Sequence, residues 1–349
     1  MKNADILIIT HLPAFYKINL YNELSGRKKI FVIFIGNSSS GREMDFTASE
    51  ILFPFMVLNN THYEERNKLL SCFRLIRVLY SMRNKYLLVN GWDLPEFWIS
   101  VFAPCKGRKG VCVESSVYES AVSGIKKITK QVFLSMVHFA LPSGEPHTQL
   151  LKMLHFNKPM QKVGGVGIPL HIERPAERHI SGAKRFLYVG RLVAEKDLLF
   201  LINGFKHFPQ GTLSIVGSGP LEQTLKQAAG ENIRFLGYVP NNQLAAIYRQ
   251  HDVFILPSVS EPWGLVVEEA LQNGLPVIVS DKVGCNKDIV ENLKAGKIFE
   301  SHSRDSLLKT MRSLSDIVVY NEFCENVRKI NFAAYYRRQV DAYELKWLD

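Results

Sequence analysis

Long apolar runs are missing from this 349-residue chain: no stretch of about 18 uninterrupted apolar residues occurs, so nothing reads as a membrane span. The most apolar window, residues 87–103, is broken by Asp93, Pro95 and Glu96. Residues 6–9 are apolar, but Asp5 precedes them and no small-residue cleavage site follows; they read as a first buried strand, not a signal peptide. Cysteine is scarce. Cys72, Cys105, Cys112, Cys285 and Cys324 are scattered, odd in number and never spaced as CxxC. That fits a reducing cytoplasm and argues against a disulfide framework or a zinc site. The ten histidines contain no HExxH pair, which argues against a zinc hydrolase, and there is no P-loop.

What is there is a globular composition, 46% hydrophobic and 22% charged, without low-complexity tracts. A chain of 349 residues exceeds one ordinary α/β core and suits two domains of roughly 150–180 residues each. The net charge of +10 is uneven: residues 1–165 hold 21 Lys+Arg against 12 Asp+Glu, whereas residues 166–349 hold 22 against 21. The basic half is expected to meet something anionic: a membrane surface, a phosphorylated lipid or nucleic acid. No nucleic-acid-binding motif supports the last.

Short apolar runs alternate with amphipathic stretches, the pattern of a parallel sheet wrapped by helices. The first half predicts strands at 5–9, 30–35, 86–89 and 110–113, with helices at 17–24, 66–83 and 125–137. The second half predicts strands at 185–189, 212–216, 233–236, 253–256 and 276–279, with helices at 197–205, 220–229, 241–249, 264–272 and 306–314. Prolines and glycines interrupt residues 158–175, the expected connection. Residues 331–349 are helical and aromatic-rich, and are expected to cross back onto the first domain. The domains are thus predicted as 1–165 and 166–330, with 331–349 packing on the first.

EPWGLVVEEA, residues 261–270, sets Glu261 and Glu269 eight residues apart around a Pro-Trp-Gly turn and a helix start. The helix start at Gly264 and Leu265 offers free amides and partial positive charge, an anion site. A diphosphate there would leave Glu261 near sugar hydroxyls and Glu269 near a ribose. An ordinary surface helix with two glutamates is the bland alternative, which the rest of the domain outweighs. In YVGRLVAEKD, residues 188–197, Gly190 turns the chain after a strand, and Arg191 and Lys196 follow at the strand's carboxyl end, where open α/β sheets bind ligands. Cations at a helix start oppose the macrodipole, so their presence needs a reason. A diphosphate supplies one. Gly217-Ser218-Gly219 is not a dinucleotide fingerprint, since Glu222 stands where the third glycine belongs.

Together GRLVAEK, IVGSGPLEQTL, FLGYVP, DVFILPSVSEPWGLVVEEALQNGLPVIVS and VGCNKDIV resemble the donor domain of retaining family-4 (group 1) glycosyltransferases, over residues 183–300. The resemblance implies the α/β GT-B architecture: two Rossmann-like domains facing across a cleft, donor on the second and acceptor on the first. It implies that Arg191 and Lys196 hold the donor diphosphate, that Glu261 contacts the transferred sugar and Glu269 the ribose. Backbone at Trp263, Gly264 and Leu265 meets phosphate and sugar, Tyr238 and Val239 lie near the base, and Gly190 and Gly217 complete the donor set. No D-x-D occurs, so no metal cofactor is expected and the cations neutralise the diphosphate. Retention without an enzymic nucleophile suggests front-face attack, the leaving diphosphate helping to deprotonate the acceptor. The expected enzyme is a hexosyl- or N-acetylhexosaminyltransferase of cell-surface glycan biosynthesis (lipopolysaccharide or capsule), taking a nucleotide-sugar and a glycan or lipid-linked acceptor. It is expected in the cytoplasm, peripheral at the inner face of the plasma membrane.

The first half departs from the family's commonest pattern. THLPAFYKINLYNEL replaces a glycine-rich loop, and His11, Tyr16, Lys17 and Asn19 are acceptor-side candidates. Glu114 stands where many relatives place a histidine. It either acts on the acceptor and transition state or is a structural partner. Ser143, Gly144 and His147 are further cleft candidates, His147 equally a satisfied structural histidine. Residues 66–85 read as a basic amphipathic helix with Arg74, Arg77 and Ser81 on one face, and residues 124–133 as a shorter one. Either they meet anionic lipid or they cover a sheet with a solvated basic face. Two other readings stay open: a non-catalytic nucleotide-sugar-binding subunit of a membrane complex, and another GT-B enzyme such as a sugar-nucleotide epimerase or phosphorylase.

Overall fold

Alternation along the first strand, β1 (Lys2–Thr10), divides its side chains between two cores. Leu7 and Ile9 enter one cluster with Leu75, Leu79, Phe97 and Phe133, while Ile6 and Ile8 enter another with Ile18, Tyr21, Val340 and Tyr343. A strand buried on both faces is the mark of a parallel sheet covered by helices on each side. Each such side chain contributes about 1.5–3 kcal/mol by leaving water.

The computed structural model describes residues 2–39, 49–104, 107–169 and 184–348. The expected connection from residue 170 onward, Cys105 and Asp349 lie outside them. After β1 come α1 (Phe15–Ser25), β2 (Ile30–Phe34), β3 (Phe55–Val57), α2 (Lys68–Ser81), β4 (Met82–Val89) and α3 (Pro95–Phe102). β5 (Arg108–Val113), α4 (Gly124–Ser135), β6 (Phe139–Pro142) and α5 (Glu145–Met153) complete this sheet and its helices. The second sheet is built from β7 (Arg185–Val189), α6 (Leu198–Phe205), β8 (Thr212–Val216), α7 (Glu222–Ala228), β9 (Ile233–Gly237) and α8 (Asn241–Arg249). β10 (Val253–Leu256), α9 (Leu265–Gln272), β11 (Val277–Ser280), β12 (Gly296–Phe299), α10 (Arg304–Ser315), α11 (Ile317–Lys329) and α12 (Phe332–Tyr343) follow.

Contacts divide the chain into Met1–Leu170 with Ala333–Asp349, and His171–Phe332. The described residues form a six-stranded parallel sheet in each unit, ordered β3-β2-β1-β4-β5-β6 and β12-β11-β10-β7-β8-β9. Both are the doubly wound order, and each has one point where the order reverses: between β1 and β4, and between β7 and β10. α12 belongs to the first unit, where Val340 and Tyr343 are buried and Arg27 meets Asp341 at 2.8 Å and Glu344 at 3.0 Å.

One expected element needs correction. The basic stretch 66–85 is not a single helix: α2 ends at Ser81, and Arg83 and Lys85 lie in β4. Buried Met82 and Tyr86 alternate with exposed Arg83 and Lys85, and the segment pairs with β1 from Lys2↔Met82 onward. Arg66, ahead of the helix, is buried against Glu96, its guanidinium bonding both carboxylate oxygens at 2.7 Å. Arg74 is also tied down, donating to the Leu58 carbonyl at 3.3 Å and to Asn59 Oδ1 at 3.1 Å.

Candidate active site

In the second unit the loops after β7 and β10 diverge at the reversal of strand order, leaving the strands' carboxyl ends open to a ligand. The β7 loop carries Gly190 and Arg191 and a short turn, Ala194–Lys196; the β10 loop carries Glu261. The structure joins them: the Lys196 ammonium pairs with the Glu261 carboxylate, both largely buried, and the Val259 amide donates to the Glu195 carbonyl at 3.0 Å. Arg191 remains half-exposed, 3.9 Å from Glu195.

Two glycines make this geometry possible. Gly264 caps α9 at φ 95°, a left-handed conformation that disfavours a side chain, and as the cap residue it offers no side chain to the helix's leading amides. At Gly217 a Cβ would come within 2.0 Å of the Gly190 carbonyl, so the glycine serves close approach of the two loops. Trp263 is buried, and its indole N–H donates to Glu268 Oε1 at 2.7 Å. Glu268, completely buried, therefore holds the Pro-Trp-Gly turn; the sequence reading passed over it in favour of its neighbour. Glu269 accepts from the Tyr248 hydroxyl at 3.3 Å. Tyr238 lies exposed just beyond β9, with Val239 half-buried beside it.

Residues 171–330 match the family of glycosyl transferases group 1. The second unit is thus similar to the group 1 glycosyl transferases. The chain is 35% identical over 112 residues to sulfoquinovosyl transferase SQD2 of Arabidopsis thaliana, covering 32% of this chain and 22% of that one. To UDP-Gal:alpha-D-GlcNAc-diphosphoundecaprenol alpha-1,3-galactosyltransferase of Escherichia coli it is 32% identical over 165 residues, 43% of this chain and 42% of the relative. The chain thus spans less than half the length of these relatives. Sucrose-phosphate synthase from Thermosynechococcus elongatus superposes with a TM-score of 0.73 at 17% identity, covering 99% of both chains. Alr3699/HepE of Anabaena in complex with UDP does so with a TM-score of 0.71 at 13% identity, covering 98% of this chain and 99% of that one. The fold is GT-B.

Within the second unit, burial raises the Glu269 carboxyl to about 7, against the lowering effect of the Tyr248 hydrogen bond. The folded protein then keeps a proton that the unfolded chain releases near its ordinary value of 4.5. Stability therefore falls as pH rises between those values and stays lowered above them. Glu269→Gln is neutral at every pH, so its melting temperature should gain on the parent's between about pH 5 and about pH 8. A melting difference that stays constant across that range would contradict the raised carboxyl.

The first unit repeats the arrangement at its own reversal point. His11, after β1, meets Asp93, after β4, with Nε2 2.9 Å from Oδ2. The His11 ring packs edge-on to Phe97 at 5.0 Å and Tyr63 at 5.8 Å between centroids. Burial works against the Asp93 charge, yet the hydrogen bond and charge of His11 hold it below the ordinary carboxylate range. Asp93 carried no sequence signal, because its partner lies 82 residues away. Other acceptor-side candidates sit deeper. Lys17 is buried and pairs with Glu114, which is a third exposed. Burial disfavours the Lys17 ammonium, but Glu114 beside it raises its pKa and keeps it charged. Asn19 is bonded to the Ile168 carbonyl at 3.0 Å, and the Tyr16 carbonyl accepts from Ile168 N at 2.9 Å. Ser143, Gly144 and His147 are buried.

Proposed function

We propose that the chain is a retaining glycosyltransferase moving a hexosyl or N-acetylhexosaminyl unit from a nucleoside-diphosphate sugar to a glycan or lipid-linked saccharide. The observation that carries the reading is the Lys196–Glu261 pair where the second sheet's order reverses, beside the glycine-capped start of α9. Arg191 and Lys196 neutralise the diphosphate as the glycosidic bond breaks, and the α9 amides add fixed dipoles aimed at the same charge. Glu261 accepts hydroxyl hydrogen bonds from the transferred sugar, and Glu269 from the ribose. With the leaving diphosphate taking the acceptor's proton on the same face, the protein's part is positioning and electrostatics.

A thermal-shift and hydrolysis screen over UDP-, GDP-, ADP- and CMP-sugars tests the donor. A true donor stabilises by about 2.7 kcal/mol at a hundredfold excess over its dissociation constant. Conversion of the donor sugar into its epimer without any acceptor would point to an epimerase instead. No metal enters the mechanism, so transfer should continue at an unchanged rate in excess EDTA; loss of activity restored by magnesium or manganese would refute that part.

The acceptor is proposed as a lipid-linked glycan of the cell surface, met at a membrane. The Escherichia coli relative is named for a diphosphoundecaprenol acceptor, and lipopolysaccharide galactosyltransferase WaaB shares the fold with a TM-score of 0.72. No helix among the described residues is long and apolar enough to cross a membrane. α2 and α4 bury side chains in the same core cluster, and both expose apolar ones: Leu69 and Tyr80 on α2, Ile125 and Ile128 on α4. Lys126 lies beside the α4 pair, and Arg77 stacks 4.2 Å above the Phe73 ring. Such a surface suits anionic lipid, at about 1 kcal/mol per basic residue. Co-sedimentation with anionic vesicles should fall with salt and be lost in Ile125→Glu/Ile128→Glu. Equal binding to neutral and anionic vesicles would remove the electrostatic part, and binding to neither would leave a soluble acceptor as the better reading.

A further inference from the structure

At the carboxyl end of β3 the loop 58–67 and the start of α2 line a half-open pocket of about 530 Å³ within the first unit. That lies inside the roughly 300–1,000 Å³ of ordinary small-molecule sites. Its floor is built from committed groups. The Asn59 amide, 5% exposed, donates to the Ile35 carbonyl and to Ser71 Oγ, both at 2.8 Å, while its oxygen accepts from Arg74. Arg66 is fixed by its two bonds to Glu96. The walls are not committed: among the described residues the Asn60 amide, the Thr61 hydroxyl and the Glu65 carboxylate have no protein partner. Asn67 spends only its oxygen, on the Leu70 amide at 3.0 Å.

This lining selects by chemistry. Glu96 neutralises Arg66, and Glu65 and Arg74 carry opposite signs, so the lining has no net charge to draw an ionised ligand. An apolar ligand would strand the amides and the hydroxyl, at a cost of about 1–3 kcal/mol for each group left unpaired. A ring carrying several hydroxyls satisfies donors and acceptors together, and half-exposed Leu70 can cover its C–H face. The same loop holds Tyr63 against His11, so the cavity adjoins the candidate acceptor edge. We infer that it is an acceptor subsite holding an uncharged sugar unit other than the one that reacts. The inference rests on the transferase reading. Binding energy gained there positions the reacting hydroxyl, so it raises turnover as well as affinity.

The test is saturation-transfer NMR on the full chain with lactose, maltose, cellobiose and chitobiose, and with glucuronic acid and glucose 1-phosphate. Asn60 and Thr61 are exposed, so Asn60→Ala/Thr61→Val should keep the parent's melting temperature. At least one neutral disaccharide should bind the parent and bind the variant about tenfold more weakly, the loss expected from a pair of neutral hydrogen bonds. No neutral sugar bound, equal binding by parent and variant, or a preference for the acidic sugars would overturn the subsite. A nucleoside-diphosphate thermal shift on the same samples separates the two claims. Stabilisation by nucleotide without sugar binding sinks the subsite alone, whereas absence of both sinks the transferase reading with it.

Discussion

Lys196→Ala should lower turnover at least about a hundredfold, the usual loss when one transition-state donor is removed. Arg191→Ala should approach the same size through the diphosphate alone. Lys196 has a second role that Arg191 lacks. Its ammonium neutralises Glu261, and both side chains are about 15% exposed, so removing it leaves a carboxylate facing the departing phosphate. Repulsion then adds to the lost attraction, and Lys196→Ala should be the more damaging of the two. The double variant Lys196→Ala/Glu261→Gln should recover part of the loss, with a coupling of about 0.5–3 kcal/mol. Steady-state kinetics on folded variants decide it: near-normal turnover in both single variants would remove the clamp from the mechanism.

Glu114→Ala should cost about 3–5 kcal/mol of stability, because it strands a buried charge. Lys17 is 4% exposed at its side chain and has Glu114 as its ion-pair partner. The reverse variant, Lys17→Met, should cost less, since Glu114 is 32% exposed and can be hydrated. Lys17→Met/Glu114→Gln should recover most of what Glu114→Ala loses. Urea unfolding measures all three, and a loss below about 1 kcal/mol in Glu114→Ala would show the pair to be incidental. Glu114→Gln then separates the two roles open to this residue: normal stability with lost transfer would place Glu114 on the acceptor.

The second sheet was readable to the residue at β7, β8 and β10, because the apolar residues of RFLYV, TLSIV and VFIL are all buried and the polar ones, Arg185, Thr212 and Ser214, leave their strand pattern legible. Shorter or mixed elements were not. β3 spans three residues with little burial, and α3 hides Glu96 and Ser100 on its inner face, so its polarity disguises its depth. The stretch 66–85 overran because Arg83 and Lys85 continue a basic run that the backbone has already turned into a strand. At the site, Arg191, Lys196, Glu261 and Glu269 were visible as residues, but their pairing was not. Lys196–Glu261, Lys17–Glu114 and His11–Asp93 bridge 65, 97 and 82 residues, beyond any local pattern.

The return of α12 has a consequence during synthesis. One core of the first unit contains Val340, Ala342, Tyr343 and Leu345, so residues 2–169 cannot close it when they leave the ribosome. They must wait while the intervening residues 171–332 are translated, roughly ten to thirty seconds at about 5–20 residues per second. The unit begun first is thus the last to be completed. Until then its strip around Ile18, Tyr21 and Phe139 faces water, a target for chaperones on the nascent chain.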